Sequence, residues 1–239
     1  MRMRRQRQSG LSLLIVIVIV MLTMLMAVWG ARTALFNELI VGNDADYQRT
    51  FEAAQAMLQD AELDVLGQTA DGSACTPDMG SSANAGKICR RTTSVWFVDE
   101  EKDVVGLLYT LESQPTVPCL QGICAKRTGK QDFWNDAETL GQMRAVGARY
   151  GEYTGARKGS GSNPILQATA DGQGAWYWVE VMPYATSSTG LITNLGGAAK
   201  LELNLNPAVV YRITAVAQGL KESTQVVLQA TLARQKLKD

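Results

Sequence analysis

The sequence predicts an α+β protein in which one long N-terminal helix, transmembrane and then amphipathic, packs on an antiparallel β-sheet. Three observations carry this prediction. Residues 11–31 are apolar and uncharged, an apolar stripe at helical spacing runs through residues 35–66, and short β-rich runs follow, clearest at 208–217 and 224–233.

Residues 11–31 read LSLLIVIVIVMLTMLMAVWGA, with Ser12 and Thr23 as the polar side chains. That length meets the roughly 20 residues a helix needs to cross a bilayer's hydrocarbon core, so a membrane is an expected partner. Before the run stands MRMRRQRQSG with Arg2, Arg4, Arg5 and Arg7, whereas the next twenty residues hold only Arg32 and Arg49. The asymmetry keeps the N-terminus in the cytoplasm and sends the remainder across. A secretory signal peptide would have a shorter apolar region closed by small residues; here the run is longer and Trp29 interrupts its end.

The chain of 239 residues, 46% of them hydrophobic, has room for one anchor and one sizeable soluble domain. Basic and acidic residues balance at 23 each, and with four arginines placed before the apolar run the exported part is mildly acidic, which argues against a nucleic-acid partner. The sequence contains no histidine, which excludes Ser-His-Asp and Cys-His catalysis. Cys75, Cys89, Cys119 and Cys124 all fall beyond the membrane, where an even count reads as disulfides with three possible pairings. An all-cysteine zinc site is the alternative, but its ligand pairs are usually separated by two to four residues, and Cys75 and Cys89 have 13 between them. Each of the pairs Cys75–Cys89 and Cys119–Cys124 is close in sequence and brackets loop residues beside a predicted strand, and this is the expected connectivity.

In residues 35–66 the apolar positions Phe36, Ile40, Tyr47, Phe51, Ala54, Leu58, Ala61 and Val65 form one helical stripe, opposite Asn37, Asp44, Arg49, Gln55, Gln59 and Glu62. Gly30 and Gly42 are weak breakers, so a continuous helix over residues 11–66, roughly 80 Å long, is expected. After a loop at 67–87, β-rich runs stand at 93–98, 104–110, 175–182, 200–205, 208–217 and 224–233. The last two, joined by Gln218-Gly-Leu-Lys-Glu-Ser223, read as a hairpin in an antiparallel meander with one face against the helix. A short helix is expected over 132–146, capped by Asp132 or Asn135.

The motifs of chemistry fail. Gly172-Gln173-Gly174 precedes a strand instead of following one, and Gly129-Lys130 lacks the upstream glycine of a phosphate loop. Asp44 and Asp46 lack the later ligands of a calcium loop and read as solvated helix-face acids. Lys126, Arg127 and Lys130 read as solvated surface. Trp176, Tyr177 and Trp178 offer a sugar platform, but alternating aromatics in a strand are more often core. No serine has lysine three residues later, as lysine-activated serine chemistry requires. No enzyme, cofactor or metal site is expected.

The layout resembles the type IV pilins, and among them the PilX-type minor pilins. The resemblance is carried by the basic leader ending in Gly10, the apolar helix directly after it, and Glu38-Leu-Ile-Val-Gly-Asn-Asp44 through Phe51-Glu-Ala-Ala-Gln-Ala-Met-Leu-Gln-Asp-Ala-Glu62. That block is similar to the family's "aGN…FxAAEAaLxxAE", with Gln55 where Glu is usual. Tyr211-Arg-Ile-Thr-Ala215 and Val226-Val-Leu-Gln229 resemble its last two strands. The resemblance implies a leader at 1–10, a transmembrane half-helix at 11–31, an amphipathic half at 32–66 and a periplasmic, later extracellular, head at 67–239. It implies cleavage by a prepilin peptidase between Gly10 and Leu11, and N-methylation of Leu11. The chain departs from the general pilin pattern at Leu11, where phenylalanine is usual, and at Ile15, where a glutamate is usual. The expected role is assembly: a minor pilin that waits in the inner membrane, primes a type IV pilus through the inner-membrane assembly platform, and sits at its tip with other minor pilins and a large adhesin, above the major pilin. The tip pseudopilin of type II secretion is the near alternative, although it usually carries a large inserted helical domain. A membrane-anchored periplasmic enzyme or sensor is the alternative of another class.

Overall fold

The structure, a computed structural model, describes residues 11–76, 88–156, 159, 161–184 and 205–235. Helix α1 covers Leu11–Val65. The chain divides into two compact units, one ending at Ala45 and one beginning at Asp46. The first unit is helical throughout its described residues, and its side chains are exposed almost without exception.

In the second unit α1 continues to Val65, and α2 (Glu101–Glu112), α3 (Ala137–Val146) and α4 (Pro164–Gln167) surround a five-stranded sheet. Its strands are β1 (Cys119–Leu120), β2 (Ile123–Ala125), β3 (Gly174–Pro183), β4 (Leu205–Gln218) and β5 (Gln225–Gln235), in that spatial order. The sheet is mostly antiparallel, but β2 and β3 run parallel. A parallel neighbour needs a long crossover, and the stretch holding α3 and α4 supplies it.

Strand β3 is the middle strand and is buried along nearly its whole length. Its side chains alternate between two cores. Ala175, Tyr177, Val179 and Val181 join Ala53, Met57, Ala61 and Val65 of α1 and Val104, Leu107 and Leu111 of α2. Trp176 and Trp178 turn to the other side, onto Phe133, Leu140 and Met143. The sheet is therefore covered on both faces, not on one as the meander reading had it, and the run of apolar residues in β3 reflects this.

The expected run at 208–217 lies inside β4, 175–182 inside β3, and 224–233 largely inside β5. Two others are corrected. Residues 104–110 belong to α2: Val104, Leu107 and Leu111 recur at helical spacing behind the acidic first turn of Glu101 and Asp103. Residues 93–98 form no strand, although Val95, Phe97 and Val98 enter the core. The run at 200–205 lies outside the described residues except for Leu205. The cap of α3 is Asp136, whose carboxylate accepts from the Thr139 N–H at 2.8 Å, after a 3₁₀ turn at Phe133–Asn135.

Candidate functional site

Two regions bear on assembly: the apolar part of α1 and the polar clamps that fasten α1 within the head unit. Along the apolar part Leu13, Leu14, Ile15 and the residues after them are all solvent-facing, Ile15 being 48% exposed. A helix satisfies its backbone internally, which lets it stand in lipid. The Thr23 and Thr33 hydroxyls donate to the Val20 and Trp29 carbonyls at 2.9 and 3.0 Å, so they add no unsatisfied donor to that surface. Among the described residues, this is the one helix long and apolar enough to cross a membrane. Leu11 is the first residue of α1; Gly10 lies outside the described residues.

Within the head unit, the buried face of α1 includes acids. Asp46, Thr50, Asp60 and Asp64 are all buried, on the same side as Ala53, Ala54, Met57, Ala61 and Val65. Positions 46, 50, 53, 57, 60 and 64 repeat at helical spacing, but Asp46 was read as solvated. This is a correction; a buried carboxylate is costly unless hydrogen-bonded, and each of these three is met by a specific group.

Asp64 faces Arg90. The guanidinium Nε lies 2.7 and 2.8 Å from the two carboxylate oxygens, Nη2 lies 2.5 Å from Oδ2, and the Tyr177 hydroxyl donates to Oδ2 at 2.7 Å. Arg90 also donates to the Gln121 carbonyl at 2.8 Å and stacks 3.6 Å from the Tyr153 ring centre. Burial pulls the guanidinium's pKa down, but Asp64 more than offsets this and holds it above its ordinary value. The pair ties α1 to the segment after Cys89 and to the central strand.

One turn earlier, Asp60 accepts from the Gly151 N–H at 2.7 Å and from the Thr154 hydroxyl. Burial pushes its carboxyl up to about 6 against the pull of those two bonds. At the other end, Asp46 accepts from the Leu220 and Lys221 N–H groups at 3.1 and 3.3 Å, in the turn joining β4 to β5. Burial raises this carboxyl, but bonds from Thr224 and the two backbone groups outweigh it and hold it below the ordinary value.

The structure joins Cys75 to Cys89 and Cys119 to Cys124. Cys119 and Cys124 are register partners across β1 and β2, whose turn residues Gln121 and Gly122 both have positive φ, 52° and 79°. This is the mirror-image two-residue hairpin turn, which matches strand twist. A Cβ on Gly122 would fall 2.7 Å from the Ala148 Cβ, so glycine also admits the crossover chain.

Other candidate groups are occupied. Trp176, Tyr177 and Trp178 are buried, which removes the sugar platform. Glu180 pairs with Arg212 at 2.6 Å and accepts from the Arg127 N–H at 3.0 Å. Among the described residues, no three His, Cys, Asp or Glu side chains are grouped to hold a metal ion. The arrangement fastens a helix.

Among known proteins, a family described as type IV pilus assembly protein PilX C-term matches residues 120–234, from the end of β1 almost to the end of β5. No curated protein and no solved structure matches the chain. Over residues 120–234, nearly the whole sheet, the chain is similar to the C-terminal part of this pilus assembly family, and it joins that region to a long apolar N-terminal helix.

Proposed function

We propose that the chain is a minor pilin that primes pilus assembly and caps the filament tip, without catalysis. The supporting observation is the exposed apolar surface of α1, which carries Ile15 where pilins usually hold a glutamate. A charge in the bilayer core costs about 2.5–3.5 kcal/mol on insertion scales, and in pilins that cost is offset by the amine of the subunit already ahead. A subunit without the carboxylate leaves the membrane first without a partner, and its own Leu11 amine remains for the next subunit's glutamate.

On this reading a prepilin peptidase cuts between Gly10 and Leu11, and Leu11 is methylated. The head waits at the periplasmic side of the inner membrane and later stands at the pilus tip with other minor pilins and an adhesin. The described helices after Val65 have 12, 10 and 4 residues, which supports a pilus subunit over a secretion tip with a large helical insert. N-terminal sequencing of the mature chain tests the proposal. A start at Leu11 is expected, together with fewer pili in a deletion strain that lacks redundant minor pilins. A start at Met1, or label spread evenly along pilus shafts, overturns it.

A further inference from the structure

The sheet has two unlike edges. One is β1, two residues long and closed by a disulfide. The other is β5, eleven residues long, with no charged side chain and no proline in residues 225–233. Proteins ordinarily blunt an edge strand by shortness, charge, proline or a bulge. The first edge is short; over residues 225–233 the second shows none of these devices, its nine pairs from Val210–Ala233 to Gln218–Gln225 running without a register shift, and charge returns at Arg234 beside the shift between Leu205 and Val210.

The backbone groups that point outward can be named. The Gly219 N–H donates to the Thr224 carbonyl at 2.7 Å, so that pair is hydrogen-bonded and Gln218–Gln225 is the open pair beside it. The far side of β3 agrees: Tyr177 exchanges both bonds with Ala148 and so turns away from β4, which leaves its partner Ala215 bonded toward β5. Alternation then puts the N–H and C=O of Gln225, Val227, Gln229, Thr231 and Ala233 on the outer edge, where no described strand pairs with them. The side chains of Gln229 and Thr231 are exposed.

We propose that β5 accepts an extended, uncharged segment of another protein of the assembly as a sixth strand. The chemistry of recognition is a ladder of backbone donors and acceptors, the strand-addition mode of binding. The absence of charge over 225–233 fits an uncharged partner, since a buried unpaired charge beside the ladder would be costly. The inference rests on the pilin reading.

Proline decides it, because proline removes one N–H and is tolerated on an edge strand only where that N–H faces outward. In the full chain, Thr231→Pro should fold, keep both disulfides and melt near the wild type in detergent, whereas Ala230→Pro, at a position bonded to β4, should not. Cells carrying Thr231→Pro should make as few pili as the deletion strain. The amides of Val227, Gln229 and Thr231 should exchange rapidly in the purified chain and slowly in sheared pili. That second measurement uses the unaltered chain and stands if the proline variant misfolds. Wild-type piliation with Thr231→Pro, rapid exchange in pili, slow exchange already in the monomer, or a protected dimer would each overturn the proposal. A chain cut at Leu11 that behaves in any of those ways overturns the edge alone and leaves the pilin reading in place.

Discussion

The carboxylate of Asp46 sits against Gly219: a Cβ built on that glycine would fall 2.6 Å from Asp46 Oδ2 and 2.5 Å from the Thr224 Cβ. The helix acid therefore fits its turn only because the turn has no side chain there. Gly219→Ala should destabilise the head by about 1–3 kcal/mol through crowding, and Asp46→Ala by about 1.5–3 kcal/mol through lost charged hydrogen bonds. Thermal unfolding of the two single variants and the double should show less than additive loss, since both break one contact.

Arg90→Met should be the most damaging conservative-volume change in the head. It leaves Asp64 buried with only Tyr177 to meet it, and breaking a buried pair costs about 3–5 kcal/mol. Adding Asp64→Asn to that variant should recover part of the loss, because no uncompensated charge then remains. Denaturant melts of the three proteins check this.

Asp60 gives the head a pH dependence of defined sign. Its carboxyl titrates at 3.8 when unfolded and about 6 when folded, so the folded state holds the proton more tightly. The associated stability is complete below pH 3.8 and is lost as pH rises through about 6, a swing of roughly 3 kcal/mol. Asp60→Asn should remove this slope, so the melting temperature of the variant should gain on the wild type from pH 4 to pH 6.5. A constant difference across that range would refute the assignment.

The hairpin between β1 and β2 carries its strain at Gln121, the described residue other than glycine with positive φ. Asparagine suits that place far better. Gln121→Asn should raise stability by about 0.5–1 kcal/mol, read as a higher melting temperature with both disulfides intact.

That hairpin also shows where sequence reasoning ran short. Gln-Gly is a weak turn signal beside Asn-Gly, and strands of two and three residues offer no period to read, so β1 and β2 went unseen. Residues 104–110 were read as a strand because Val104, Val105, Tyr109 and Thr110 favour one, yet the acids of the preceding turn and the spacing of Val104, Leu107 and Leu111 were helical. By contrast, α1, β3, β4 and β5 are long enough to impose their periods. The clamp was illegible for a different reason. Asp60 and Asp64 look solvated until Gly151 and Arg90, distant in sequence, arrive beside them.

The bridge from Cys75 to Cys89 has a mechanical consequence. Arg90 follows Cys89 directly and holds Asp64 in the last turn of α1, while the backbone runs from that same turn to Cys75. The end of the helix is thus enclosed in a ring made of chain, disulfide and ion pair. Tension drawn along α1 reaches Asp60 and Asp64 one turn apart, and the ring keeps Arg90 beside Asp64. Such a joint resists peeling: its bonds must fail together, and a pulled subunit would keep its head until they do.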